Sequence, residues 1–193
     1  MVYAPGSGGD FVKYGPGKLY IAAVGSTEPT DLSTALAAPW TTGFVGYTDS
    51  GHTFTSTRSY ENVEVAETLL PIAKVPTGLD EQIEFAFAEI TAKNLQRALN
   101  GATITASGTG PTSIDKIEPL AFGATETRVA ILWEANDASE RWVFRKVVQT
   151  GAIAVARQRG AAKATIPVTF SLEQPSGGAK PWMAIVKGEA SVA

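Results

Sequence analysis

The sequence predicts a mainly β protein, in which two packed sheets or a barrel-like sheet are flanked by one α-helix and by extended arms and loops. Three observations lead to this fold class. At least seven segments combine β-branched or aromatic residues with turn signals at their ends. One segment has the periodicity and the capping residues of a helix. The 193 residues suit a single domain, because hydrophobic cores usually divide only beyond about 250 residues.

The chain is predicted to comprise an arm, a domain and a short tail. Residues 1–17 are rich in Gly and Pro, which favours a flexible N-terminal arm. Residues 18–187 form the β domain, with a long loop at about 61–80, and residues 188–193 form a C-terminal tail. The arm has no basic segment followed by an apolar run, so it does not resemble a secretory signal. The sequence also contains no run of 18 apolar residues, and we expect no membrane insertion.

Two segments show the alternation of a half-buried strand. Ile83, Phe85 and Phe87 alternate with polar or small residues, so that their side chains share one face. Residues 164–173 alternate in the same way. Pro167 lies within this second segment and indicates an edge strand or a bulge, because proline has no amide hydrogen for a sheet.

A hairpin and a helix are predicted between the arm and the middle of the chain. The Thr-rich segments 42–48 and 52–60 flank Asp49-Ser50-Gly51, a sequence that favours a tight turn between two strands. Thr91 is a suitable N-cap for a helix over 92–99, which ends at the Asn-Gly pair that follows.

Side chains that perform catalysis are scarce. The sequence has no cysteine, which excludes disulfides, thiolate metal sites and cysteine nucleophiles. His52 is its single histidine, so a serine triad or a two-imidazole metal site would require unusual substitutes. We interpret His52 as an ordinary surface or turn residue, and we expect no enzyme activity, no cofactor and no metal. The net charge of −3 does not provide the positive electrostatic potential of a protein that binds nucleic acid tightly.

Charge is distributed unevenly along the chain. Seven acidic residues and one basic residue lie between 61 and 90, whereas six basic residues and no acidic residue lie between 141 and 163. Chance on a solvated surface is one explanation. The other is a head-to-tail contact between copies, which needs two different complementary surfaces. Its acidic loop residues are Glu61, Glu64 and Glu67, and the residues of the complementary basic hairpin are Arg145, Lys146, Arg157, Arg159 and Lys163.

The four tryptophans allow a second class of function. A non-catalytic β-sandwich that binds carbohydrate, or one that decorates a capsid, would use aromatic rings as a stacking platform. Three of the tryptophans lie within predicted strands, which favours packing in the core or between subunits. The four tryptophans are Trp40, Trp133, Trp142 and Trp182.

Several motifs in the first half of the chain are shared with a known family. They are GKLYIA at 17–22, GSTEP at 25–29, Trp40, GFVGYT at 43–48 with the adjoining Asp-Ser-Gly, and a strand-to-helix passage at 89–101 with Asn94 and Leu95. Together these motifs resemble the major tail tube proteins of long-tailed bacteriophages. The similarity is strongest over 17–101 and is looser towards the C-terminus.

This resemblance implies a β-sandwich-like subunit that forms hexameric rings, which stack into a hollow tube for passage of the genome. It implies contacts between rings from the arm at 1–17, the loop at about 61–80 and the end at 186–193. The implied partners are further copies of the chain, the tape measure, terminator and initiator proteins of the tail, and DNA in transit. The implied location is the tail of the virion, after synthesis in the bacterial cytoplasm.

The wall of such a tube must let DNA slide. Each Lys or Arg that contacts a phosphate strengthens DNA binding through counterion release, so we expect a neutral or acidic lumen. The candidates for this lining alternate with core residues on the two strands described above. They are Gln82 and Glu84 on the first strand, and Thr165, Thr169, Ser171 and Glu173 on the second.

Overall fold

The computed structural model describes residues 17–108, 113–155, 157 and 163–187. Its elements are β1 (Gly17–Ala23), β2 (Thr48–Val63), β3 (Ala73–Phe87), α1 (Ala92–Ala98), β4 (Thr103–Ser107), β5 (Ile114–Glu118), β6 (Val129–Ala135), β7 (Glu140–Gln149), β8 (Ile166–Leu172) and β9 (Trp182–Val186), with 3₁₀ turns at Thr41–Gly43 and Ser176–Gly178. The predicted fold class, mainly β with one helix, is confirmed. Gly17 belongs to β1, whereas the rest of the predicted arm and the tail at 188–193 lie outside the described residues.

Strand β7 joins two parts of the main sheet. The seven strands are antiparallel in the order β1-β6-β7-β8-β3-β2, and β9 also pairs with β7. The first half of β7, residues 140–144, pairs with β9, and its last residues, 147–149, pair with β8. The sheet therefore divides at β7 into a β1-β6-β7-β9 part and a β7-β8-β3-β2 part. Strands β4 and β5 form a separate two-stranded sheet.

The main core lies between these two parts. Its largest fully buried side chains come from both of them and include Phe87 of β3, Phe144 of β7 and Phe170 of β8. The alternating apolar residues predicted for β3 and β8 all face this core, so the two half-buried strands are confirmed. Burial of these rings removes a large apolar area from water, which is the main force that holds the two parts together.

A second apolar layer covers the other face of β1, β6 and β7. Trp40 is only 2% exposed and packs there with Leu132 and Val143. Its indole nitrogen donates a hydrogen bond to the Thr27 carbonyl at 2.7 Å. The buried Arg141 holds the same segment, because it donates to backbone carbonyls in the loop after β1 and forms a 2.6 Å ion pair with a carboxylate of β6.

Helix α1 fixes the chain just before β2. The Thr91 hydroxyl accepts a hydrogen bond from the Asn94 amide, as expected for an N-cap, and the predicted helix is confirmed. The Asn94 side chain donates to the Val45 carbonyl at 3.0 Å, and Arg97 donates to the Gly43 carbonyl at 2.9 Å. Burial lowers the pKa of Arg97 to about 10.

The predicted hairpin around residues 49–51 is wrong. Strand β2 runs without a turn from Thr48 to Val63 and pairs with β3. The Asp-Ser-Gly sequence produces a register irregularity between Thr48 and His52, because Gly51 takes up a positive φ of 82° within the strand.

The predicted loop at about 61–80 is wrong in its bounds. Strands β2 and β3 extend the pairing to Val63 and Ala73, so the connection consists of residues 64–72. Pro76 is accommodated because it lies beside a register irregularity between Ser59 and Tyr60.

Pro167 lies inside the sheet at a point that is locally an edge. Strand β8 pairs with β3 over 166–171, but β7 pairs only with 170–172. The missing amide hydrogen of Pro167 therefore costs no ladder bond to β7.

Replacement of the core ring of Phe87 tests this architecture. Phe87→Ala should lower the free energy of unfolding by about 3–5 kcal/mol, because it removes a fully buried ring and leaves a cavity. Phe122→Ala is the matched control, since Phe122 is fully exposed and its loss should change stability by less than about 0.5 kcal/mol. Urea unfolding at low protein concentration measures both, and equal effects would contradict the core described here.

Candidate functional site

The β2–β3 hairpin crosses the other part of the sheet and then leaves the domain. The His52 ring lies 4.7 Å from the Trp133 ring of β6, between ring centroids. Two residues further on, the Phe54 ring lies 5.2 Å from Phe144 of β7 and 5.4 Å from Trp182 of β9. Since β6, β7 and β9 are neighbours in that order, β2 runs across them and emerges beyond the edge strand β9.

The emerging part of the hairpin is surrounded by solvent. Residues 57–63 of β2 and 73–80 of β3 are all exposed, as is nearly all of the connection between them. This projection carries many large apolar side chains, with Leu70 78% exposed and Leu69 fully exposed. Monomeric proteins rarely expose apolar surface on this scale, so the hairpin has the character of a contact surface. Its exposed apolar residues are Tyr60, Val63, Val65, Leu69, Leu70, Ile72, Val75 and Leu79.

The hairpin also has an open backbone edge. Strand β2 is the last strand in the sheet order, and within the described residues β3 is its only paired strand. Its 16 residues therefore present a long row of backbone donors and acceptors. Such an edge is a template for pairing with another chain unless something covers it.

The predicted acidic residues lie together on the projection. Glu61 belongs to β2, and Glu64 and Glu67 belong to the connection. All three are exposed, and no ion pair involves them among the described residues. The structure thus places these acids on the same projecting segment as the exposed apolar side chains.

The predicted basic residues do not form one free surface. Arg145 forms an ion pair with Glu28 at 2.6 Å, and this hydrogen-bonded carboxylate raises the pKa of the guanidinium. Lys146 lies 2.8 Å from Glu173, and Lys163 lies 2.5 Å from Asp49. Arg157 is exposed, whereas Arg159 lies outside the described residues. Three of the five bases therefore already have a carboxylate of the same chain.

Four of the six predicted lumen candidates share one face of the sheet. Gln82 pairs with Ser171 and Glu84 pairs with Thr169, on the side opposite the core. Thr165 and Glu173 flank the two ends of β8. Two cations neutralise Glu173, since Arg128 lies 3.1 Å and Lys146 2.8 Å from its carboxylate oxygens. Hydrogen bonds from these cations, first from Arg128, lower the pKa of Glu173.

Sequence reasoning missed the continuation of this face onto β2. Thr53 pairs with Glu84, Thr55 with Gln82, and Thr57 with Asp80. The alternation of threonines at 53, 55 and 57 was the available signal, but it does not reveal which strand is the neighbour. With this addition the face spans β2, β3 and β8 and is rich in hydroxyl groups.

The tryptophans do not form an exposed platform. Trp40 and Trp133 are 2% and 8% exposed. Trp142 and Trp182 stack on each other, with ring centroids 5.3 Å apart. This packing favours a structural role for the four rings over stacking on a sugar.

His52 is not the surface or turn residue that was predicted. It lies within β2, half-buried against Trp133, in a cavity of about 1030 Å³ that Glu140 also lines. Among the described residues we find no cluster of side chains suited to hold a metal ion. The described part of the chain likewise has no helix of the length and apolar character needed to cross a membrane.

A family model described as phage tail tube protein matches residues 7–191 of the chain. A search of curated proteins finds no match.

Acidification should weaken the fold through His52. Burial lowers the pKa of this imidazole below 6.5, and the nearby Glu140 carboxylate opposes the shift only in part. The unfolded chain therefore takes up a proton at a higher pH than the folded chain. The contribution of neutral His52 to the stability of the fold is fully present above pH 6.5. It is lost as the pH falls from 6.5 towards the folded-state pKa.

Melting temperatures at about pH 7.5 and about pH 5.5 measure this contribution. His52→Gln is the control, because it removes the titrating group and leaves the carboxylates common to both proteins. The wild type should lose more stability on acidification than this variant, and equal losses would contradict the burial of His52.

Proposed function

Because the chain belongs to the phage tail tube protein family, we propose that it is a structural virion protein whose copies self-assemble into stacked hexameric rings, and that the resulting tube conducts DNA into the host. The observation that carries this proposal is the hairpin that projects past β9 with its apolar side chains exposed. The role requires no catalysis and no cofactor, and we propose that the protein is not an enzyme.

Contact between rings is the role we assign to the projecting hairpin. Its apolar side chains are buried when they dock on a second copy, and that burial supplies the free energy of association. The tip and its receiving surface are different parts of the chain, so the contact is heterologous and repeats from copy to copy. Repetition of this kind builds a stack.

Charge is proposed to assist this contact. Glu61, Glu64 and Glu67 would approach Arg157 and Arg159 of the neighbouring copy, together with Arg145, Lys146 and Lys163. Since the last three already have internal carboxylates, their contribution is to steer the approach rather than to form new pairs. Charges at the rim of an interface act mainly on association rate and orientation.

Closure of the ring uses the sheet edges. Strands β2 and β9 each have an unpaired side within the described residues. In a ring, the edge of one copy is covered by the next, which removes the risk of uncontrolled pairing.

The hydroxyl-rich face of β2, β3 and β8 is proposed to line the lumen. Its neutral threonines, serine and glutamine hydrate well, and Glu84 repels phosphate. DNA passes such a surface transiently and without sequence preference, because there is no dense array of cations to hold it. Thr165 and Glu173 extend this lining at its two ends.

The remaining elements of the proposal follow from the tail tube role. The tube would meet the tape measure protein inside and the terminator and initiator proteins at its ends. The protein would reside in the virion tail after synthesis in the bacterial cytoplasm. Contacts from 1–17 and from 186–193 would supplement those of the hairpin.

The alternative is a binding module that recognises carbohydrate or decorates a capsid. The four tryptophans that such a module would use are buried or stacked on one another, which argues against it. Glycan binding by a stable monomer would select this alternative over the tail tube role.

Polar substitution of the hairpin tip tests the proposed contact between rings. The double variant Leu69→Ser and Leu70→Ser should keep the monomer fold, because both side chains are exposed, and should abolish tubes because the docking area is lost. Ile114→Ser is the matched control, since Ile114 is an exposed apolar residue outside the hairpin. Sedimentation velocity and negative-stain microscopy measure assembly, and circular dichroism measures folding.

Normal tubes from the double variant would contradict the apolar contact. A triple variant in which Glu61, Glu64 and Glu67 become Gln separates the contribution of charge. It should slow assembly most at low salt and have little effect at high salt, because screening already removes this term.

Introduction of lysine on the hydroxyl-rich face tests the lumen assignment. Tubes of Glu84→Lys with Thr169→Lys should retain short duplex DNA at low salt, with an affinity that falls steeply as salt rises. Asp115→Lys, on the exposed part of β5, controls for added charge elsewhere. Fluorescence anisotropy of labelled DNA measures retention, and an equal signal from the control would show that the face lies outside the lumen.

A further inference from the structure

A buried carboxylate marks the point where the hairpin leaves the domain. Glu81 of β3 is 7% exposed, whereas all eight residues that precede it in the strand are exposed. Charged residues are seldom buried this far without a cation. Among the described residues, however, no Lys or Arg forms an ion pair with Glu81.

The carboxylate is satisfied by two neutral donors from different strands. The indole nitrogen of Trp182 in β9 donates to the Glu81 Oε1 atom at 2.9 Å. The hydroxyl of Ser56, its register partner in β2, donates to the same oxygen at 3.1 Å. Both bonds are charge-assisted and therefore stronger than bonds between neutral groups. They tie both strands of the hairpin to the edge of the domain at one atom.

The rings around this point do not by themselves set a direction. Phe54 contacts Trp142 and Phe144 in tilted arrangements, at 53° and 48°, and contacts Trp182 edge-on, at 67°. Apolar contact depends on buried area and tolerates rotation. A hydrogen bond weakens steeply as its angle departs from linear. Backbone pairing with β8 restrains β3 only as far as Gln82, so beyond that residue the directional restraint comes from the bonds to Glu81.

From this arrangement we infer that Glu81 is a positioning residue, which fixes the direction in which the hairpin projects. The Trp182 indole is its anchor on the domain, and Ser56 couples the second strand to it. The inference rests on the proposed function in one respect, that a fixed direction matters because the hairpin must meet a receiving surface on another copy. The restraint on the direction of the hairpin is a property of the single chain.

Leucine and glutamine at position 81 separate direction from stability. Glu81→Leu fills the same site with an apolar group but leaves the Trp182 and Ser56 donors without their acceptor, which should lower stability moderately without removing a core side chain. It should also free the hairpin and reduce assembly. Glu81→Gln retains an oxygen that accepts the hydrogen bond from the Trp182 indole N–H, and it should behave like the wild type. Trp182→Phe keeps the ring but removes the donor, and it should reproduce the effect of Glu81→Leu.

The direction of the hairpin can be measured without assembly. The sequence has no cysteine, so Ala66→Cys on the projection and Lys18→Cys in β1 provide two exposed sites for spin labels. Double electron-electron resonance, with labelled protein diluted in unlabelled protein, reports the distance between the two sites within one chain. We expect one narrow distance for wild type and Glu81→Gln, and loss of that narrow distance for Glu81→Leu and Trp182→Phe.

Two outcomes are distinguished by the same set of variants. A narrow distance in folded Glu81→Leu would overturn the positioning role, whether or not the protein assembles. Failure of the wild type to form oligomers would refute the proposed function and leave the distances to decide on Glu81. If Trp182→Phe does not fold, the distances in Glu81→Leu and Glu81→Gln still decide whether Glu81 positions the hairpin.

Discussion

The packing of Phe54 between the rings of β7 and β9 is the contact on which the rest of the structure depends. It presses one part of the sheet across the other, so that the core is closed between them. The same crossing decides where the hairpin emerges, because β2 must run over β6, β7 and β9 before it reaches solvent. Core formation and the display of a contact surface are thus one event. A chain that closes its core has at the same time brought its hairpin to the edge of the domain, where the bonds to Glu81 restrain its direction.

Electrostatics in this protein serves mainly to complete the subunit. Arg141 is buried against Glu134 and ties down the loop after β1, and Arg145 does so through Glu28. Glu134 is close to Arg141 in sequence, but Glu28 and the loop carbonyls that Arg141 binds lie more than 100 residues from their partners. A cluster of bases along the chain is therefore a poor guide to free positive surface, because Arg145, Lys146 and Lys163 each have a carboxylate of the same chain. Among the described residues, Glu61, Glu64 and Glu67 on the projection have no such ion pair.

Sequence reasoning succeeded where the physical signal is local. The alternation at Ile83, Phe85 and Phe87 and the cap at Thr91 are both read from adjacent residues, and both features are present. It failed at residues 49–51 because a positive φ at Gly51 serves a bulge as well as a turn. It also placed the loop over too long a range, since the pairing that extends β2 and β3 is supplied by each strand to the other. The hydroxyl-rich face was predicted only on β3 and β8. Thr53, Thr55 and Thr57 could not be assigned to it because the sequence does not show that β2 pairs with β3.

The antiparallel register between β3 and β8 has a mechanical consequence. A pull on the hairpin tip acts along the strand axis, whereas the hydrogen bonds between β3 and β8 lie across it. The six register pairs between these strands are therefore loaded together in shear instead of being peeled apart one at a time. Strand β8 passes the load to β7, which belongs to both parts of the sheet. Tension on one subunit is in this way passed through β8 and β7 to both parts of the sheet.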